Sequence, residues 1–153
     1  MIFRREHGNA NVTTLVERKS RFTVLIKNQN RKSAVVVGQI KDHLTSLPQS
    51  SRRSVTFDRG SEFMGWRDLN PHLGLGSYYC DARSPWQKGT NENTNGRIRR
   101  FLPSETNINE FSQKDLVLIS NQMNNTPRKC LSYRTPKEVF DEHLHDRPTA
   151  LAS

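Results

Sequence analysis

Two carboxylates, Asp58 and Glu92, have 33 residues between them, each in a setting suited to holding a metal ion. Asp58 closes the run Ser54-Val55-Thr56-Phe57-Asp58 and is followed by Arg59-Gly60, so it reads as the end of a strand opening into a turn. Glu92 lies where the Pro- and Gly-punctuated segment Ser84-Pro85-Trp86-Gln87-Lys88-Gly89 runs into the Asn-rich stretch Thr90-Asn91-Glu92-Asn93-Thr94-Asn95-Gly96. Such a stretch makes poor core and a plausible polar site. Phosphoryl transfer with divalent metals needs this pair of residue types. Two hard cations about 3.5–4 Å apart steady the attacking and leaving oxygens of an in-line displacement, held by a few carboxylates and by substrate phosphate oxygens. A strand-end Asp gives a rigid anchor, and a helical Glu reaches the second metal. Spacing by itself does not separate such a pair from solvated surface charge in a chain with 15 Asp and Glu.

The elements that must position these residues follow from periodicity. Val12 to Glu17 and Phe22 to Lys27 are β-rich runs joined by Arg18-Lys19-Ser20-Arg21, which predicts an antiparallel pair with a short basic turn. Between Lys32 and Leu47, Val36, Val37, Ile40, Leu44 and Leu47 recur at helical spacing, and Pro48 ends the pattern. Arg53 to Asp58 is the next strand. Ser61 to Leu69 is expected as a helix with Phe63, Trp66 and Leu69 inward, and Gly76 to Cys80 as another strand. The helix carrying Glu92 comes next. Ser112 is placed to N-cap a helix running to Asn124, and Thr135-Pro136 to open a last helix ending at Leu144. The order predicts an α/β sheet flanked by helices, one domain over residues 1–144, and a disordered tail over 145–153.

Composition points to a polyanionic partner. Lys and Arg number 24 against 15 acidic residues, for a formal charge of +9 and a pI near 10.1. Arg97, Arg99 and Arg100 follow Glu92 on the same predicted helix, within one or two turns of the candidate metal site, where a phosphate backbone would lie. A solvated helix face is the competing account of the same three residues. No apolar run approaches the roughly 18 residues of a membrane span, and Met1 to Ala10 is no signal peptide, so the expected setting is cytoplasmic. Cys80 and Cys130 are isolated, which predicts reduced and mostly buried thiols.

Four segments tie these features together: Thr14-Leu15-Val16-Glu17-Arg18-Lys19-Ser20-Arg21-Phe22, Thr56-Phe57-Asp58-Arg59-Gly60-Ser61-Glu62-Phe63, Tyr79 to Gly96, and Asn125-Thr126-Pro127-Arg128-Lys129-Cys130-Leu131. In the same order, from about Val12 to Phe140, they resemble the catalytic core of bacterial transposases of the insertion sequence 30 family. The resemblance implies a ribonuclease H-like mixed sheet flanked by helices and an Asp, Asp, Glu site binding Mg²⁺ or Mn²⁺. It also implies DNA strand cleavage and transfer on transposon ends and target DNA. Asp58 then matches the second Asp and Glu92 the final Glu, with Lys88, Asn95, Arg97, Arg99 and Arg100 toward the DNA. Working assemblies of more than one subunit, near the bacterial nucleoid, belong to the same picture.

One departure stands out. The family's first Asp falls in an Asp-Leu-Ile-like run that here corresponds to Met1-Ile2-Phe3, which holds no Asp. The expectation is a core shortened at its start, with an incomplete first strand and little strand transfer by this polypeptide alone. Two other readings stay open: a non-catalytic DNA-binding or subunit-interaction remnant, and a nuclease-like domain binding RNA. Asp81 is a candidate auxiliary ligand or a turn cap, and Trp86 a base-stacking or loop-anchoring side chain. Glu17 is expected to pair with a neighbouring Arg, and Glu62 to sit at the positive end of a helix.

Overall fold

The computed structural model describes residues 3, 8–49, 52, 54–57, 60–69, 73–74, 76–79 and 89–145. Strand β1, Asn11–Val16, pairs antiparallel with β2, Thr23–Asn28, in the register Asn11 to Asn28 through Val16 to Thr23. Strands β3, Ser54–Phe57, and β4, Gly76–Tyr79, pair in parallel. Between the pairs comes α1, Ser33–Thr45, and after them α2, Gly89–Ile98, α3, Gln113–Asn124, and α4, Pro136–His145. The mixed α/β class expected from the pattern holds. Among the described residues, however, the strands form two two-stranded sheets rather than one mixed sheet.

Alternation along β1 and β2 sends side chains to two faces, and each face meets a helix layer. Val12 and Leu25 point into a cluster with Phe3, Ala10, Ile98, Leu102, Ile108, Leu116 and Met123, so α2 and α3 share one face of the hairpin. Leu15 packs on the other side against the cluster of Val36, Val37, Ile40, Leu44, Phe57 and Leu73, which seats α1 and β3 there. The apolar spacing of α1 therefore does what its sequence predicts: all four of its buried residues come from that set. Phe3, at the start of the chain, is 5% exposed and fills core rather than lying on the surface.

The outer edge of β2 is closed by side-chain amides of α3. Gln113 accepts from Lys27 N at 2.8 Å and donates to Leu25 O at 2.8 Å; Asn124 accepts from Thr23 N at 2.9 Å and donates to Thr23 O at 2.8 Å. Each amide mimics a strand neighbour, satisfying backbone groups that an edge strand otherwise leaves open. Ser112 caps α3 reciprocally, its hydroxyl accepting from Asp115 N while the Asp115 carboxylate accepts from Ser112 N at 2.7 Å. Thr135 and Glu138 repeat the arrangement at α4.

Several expectations are corrected. Ser61 to Leu69 is not one helix but two 3₁₀ turns, Ser61–Phe63 and Trp66–Leu69. Gly60 and Gly65 flank or interrupt the run, and glycine weakens a continuous α-helix. Phe63 and Trp66 do pack on the α1 cluster. Among the described residues, Glu17 pairs with no arginine. Its carboxylate folds back over the hairpin turn and accepts from Ser20 N and Ser20 Oγ at 2.6 Å and from Lys19 N at 3.1 Å. Burial pushes this carboxyl up, but the Ser20 hydroxyl and the Ser20 and Lys19 amides outweigh it and hold it below the ordinary glutamate range. Cys130 is exposed, not buried, because it lies on a surface 3₁₀ turn, Lys129–Leu131. Cys80 and the tail from residue 146 lie outside the described residues.

Candidate nucleic-acid and metal site

Helix α2 carries the candidate site, and its composition explains its placement. Of its ten residues, Gly-Thr-Asn-Glu-Asn-Thr-Asn-Gly-Arg-Ile, only Thr94 and Ile98 are buried. The pair lies four apart, on one stripe facing β1. Thr90, in the first turn, accepts a hydrogen bond from the Arg21 guanidinium at the β1–β2 turn, a second tie between hairpin and helix. Everything else on α2 is free to face outward or to neighbouring elements.

Glu92 is exposed in the first turn of α2, where the partial positive charge of the helix N-terminus favours a carboxylate. Asn95, one turn on, is half-buried, and its Oδ1 is enclosed without a hydrogen-bond partner. Asp58 and Lys88 lie outside the described residues, as do Asp81 and Trp86; the last described residue before Asp58 is Phe57, the buried end of β3. Glu62 sits in the first turn of its 3₁₀ segment, its carboxylate folded toward Gly60. Among the described residues, no three His, Cys, Asp or Glu side chains converge to hold a metal ion. Of the two proposed ligands the structure describes one, an oxygen donor of the hard kind that Mg²⁺ takes.

The three arginines after Glu92 divide between two surroundings. Arg97 and Arg100 line a cavity of about 110 Å³ together with Phe101, Met123, Thr126 and Arg128. Arg97 is also steadied within its helix, Nε donating to Asn93 Oδ1 at 3.1 Å. Arg99 turns elsewhere: its guanidinium lies 5.0 Å over the Phe3 ring and donates from Nη1 to Leu102 O at 3.4 Å. Burial pushes the Arg99 guanidinium down, with Glu105 acting in the opposite sense.

Arg128 was not among the residues singled out from the sequence for binding, although the segment containing it was. Its backbone is fixed by bonds from Leu131 N and Tyr133 N to its carbonyl and from its own N to Arg134 O, all at 2.9 Å. Ser132 and Tyr133 take left-handed conformations, φ 54° and 64°, to close this loop. The clue available in the chain was only a second basic pair, Arg128-Lys129, far from Glu92 in sequence. A groove of about 760 Å³ between β2, α1 and α3 contains none of the candidate residues.

Comparison with known proteins supplies what geometry does not. No family model matches the chain. Curated relatives do. The chain is 42% identical over 133 residues to the InsI transposase of insertion sequence element IS30A from Escherichia coli, covering 87% of the chain and 35% of that protein. It is 38% identical over 133 residues to the transposase of IS1086 from Cupriavidus metallidurans, covering 87% of the chain and 39% of that protein. The transposase of IS4351 from Bacteroides fragilis is 33% identical over 130 residues, covering 85% and 40%. The chain thus spans about a third of the length of the relatives it matches most strongly.

Proposed function

Because the matched residues belong to the insertion sequence 30 family of transposases, we propose that the chain is the catalytic-core part of a DNA transposase. It works through an Asp, Asp, Glu site in which Asp58 and Glu92 are two of the metal ligands. The observation that carries this reading is the 42% identity over 133 residues, a span that includes most of the described elements. The exposed Glu92 on a thinly anchored helix supports it, as do the cations that follow Glu92. Lys88, Asn95, Arg97 and Arg100 belong to the DNA-facing surface in this reading, with Arg99 contributing charge from its seat over Phe3.

A bound Mg²⁺ or Mn²⁺ would neutralise phosphoryl charge and activate the attacking oxygen. The chain's own residues do the rest. Glu92 offers its carboxylate from the helix end, Thr90 and Arg21 fix that end against the hairpin, and Arg97 and Arg100 meet the negative backbone. A two-metal site with only Asp58 and Glu92 binds its ions weakly, so residues 1–153 alone should cut DNA poorly. A ribonuclease H-like arrangement, with β1–β2 and β3–β4 as parts of one sheet, and action as an assembly of several copies are further parts of the proposal.

The test is metal-dependent nicking of a labelled DNA duplex. The expected result is at most trace cutting by this polypeptide, and restored cutting when an Asp-bearing first strand is supplied. Robust cutting by residues 1–153 that survives Asp58→Ala and Glu92→Gln would overturn the assignment of both carboxylates.

A further inference from the structure

Among the described residues, the cavity between the C-terminal ends of α2 and α3 is lined by three arginines and no acidic residue. Arg97 and Arg100 reach it from α2 and the turn that follows, Arg128 from the loop after α3, with Phe101, Met123 and Thr126 completing the wall. Three like charges around one small space repel one another, and nothing acidic in the lining offsets them. Arg128 is the strongest part of the case because it is 7% exposed. Its Nη2 donates to Met123 O at 3.3 Å, a carbonyl in the last turn of α3, where a cation is favoured. That contact explains one of its N–H groups. Nε is buried and has no hydrogen-bond partner.

A buried, unpartnered guanidinium N–H is costly, and an oxyanion is the ligand that best satisfies it. A planar fork matches two phosphate oxygens, and the low polarity of Phe101 and Met123 strengthens each charged hydrogen bond. A volume of about 110 Å³ exceeds the roughly 30 Å³ share of one water and suits a single compact anion. Burial lowers the Arg128 guanidinium and the positive charge of Arg97 lowers it further, with Cys130 acting in the opposite sense. Along α2, Arg97 lies five residues past Glu92, roughly 7.5 Å at 1.5 Å per residue. Five residues also turn the helix by about 140°, so the pocket lies on a different face of α2 from Glu92.

We propose that Arg97, Arg100 and Arg128 form a phosphate pocket that holds one backbone phosphate of the bound nucleic acid. The proposal rests on the DNA-acting reading given above and adds to it a fixed register for the strand. Arg128 supplies the buried, directional contact, and Arg97 and Arg100 close over the anion from the helix.

Titration of the chain with inorganic phosphate, following the Nε–H resonance of Arg128 by NMR, tests the pocket itself. Salt-dependent binding of a labelled duplex tests its use. Phosphate should shift the Arg128 resonance saturably, and duplex DNA should compete for the same shift. Arg97→Gln and Arg100→Gln should each abolish the phosphate response and lower the slope of log affinity against log salt by about 1. Arg128→Lys keeps the charge but removes the fork, and should weaken duplex binding at fixed salt with little change in slope. Lys114→Gln, at the far end of α3, should leave the phosphate response intact. If Arg128→Lys fails to fold, the two α2 variants carry the test. An Arg128 resonance unmoved by phosphate overturns the pocket. Duplex binding with unchanged slope in both α2 variants also overturns it while leaving the transposase reading standing. A saturable phosphate response with no duplex binding overturns both the strand assignment and that reading.

Discussion

Helices α2 and α3 pack on the same face of the β1–β2 hairpin, yet they are built for opposite purposes. Helix α3 buries Leu116, Ser120, Met123 and Asn124, begins with a reciprocal Ser112–Asp115 cap, and hydrogen-bonds the open edge of β2 from both ends. Helix α2 buries Thr94 and Ile98, contains Gly96 in its middle, and leaves Glu92 exposed. The anchored helix holds the hairpin in shape; the thinly anchored one leaves most of its polar side chains outside the core. Stability and presentation are separated onto two neighbouring elements, so each can be altered with little effect on the other.

The largest effect should come from the anchoring side. Leu116→Ala opens a cavity in a fully buried position and should lower unfolding free energy by about 2–5 kcal/mol in a urea titration. A loss under about 1 kcal/mol would mean that α3 does not hold the hairpin as described. Next comes the sealed edge. Asn124→Ala strands the N–H and C=O of the buried Thr23 and should cost about 1–3 kcal/mol, with faster hydrogen exchange at Thr23. Unchanged exchange there would show that α3 touches the edge without satisfying it.

On the presenting helix the sign reverses. A methyl group added at Gly96 meets nothing within 4 Å, so Gly96→Ala should raise stability by about 0.5–1 kcal/mol. If α2 lies against a phosphate backbone, the same change weakens duplex binding, and improved stability with unimpaired binding would place the strand elsewhere. The smallest effect is that of pH on the hairpin turn. Glu17 ionises more readily in the fold than in the unfolded chain, so its contribution is present above the ordinary value of 4.5 and is lost as pH falls through its lower folded value. Melting temperatures of the wild-type chain and Glu17→Gln should converge as pH drops below 4.5. Curves that stay parallel would remove Glu17 from the turn.

Much of this molecule could be read from local pattern. The positions of Val36, Val37, Ile40 and Leu44 gave α1 and its buried stripe, Ser112 and Thr135 marked where α3 and α4 start, and the β1–β2 pairing came within a residue of its observed bounds. Each of these depends on residues within a turn or two of one another. Ser61 to Leu69 failed because propensity does not distinguish a helix from two 3₁₀ turns when glycines interrupt it. Glu17 failed because a carboxylate chooses between a neighbouring arginine and nearby turn amides only once the turn has closed.

The chain's own residues determined its kinship: the order of its segments resembles the insertion sequence 30 transposases, and the chain is 42% identical over 133 residues to one of them. Tertiary structure alone decided which cations act together. Arg97 and Arg99 sit two residues apart and go to different places, while Arg97 and Arg128, 31 residues apart, share one cavity. Helical geometry turns successive residues about 100° apart, and the packing of α3 against β2 brings its C-terminal loop beside α2. Charge is written residue by residue, but the space it surrounds is made by the packing of elements distant in sequence.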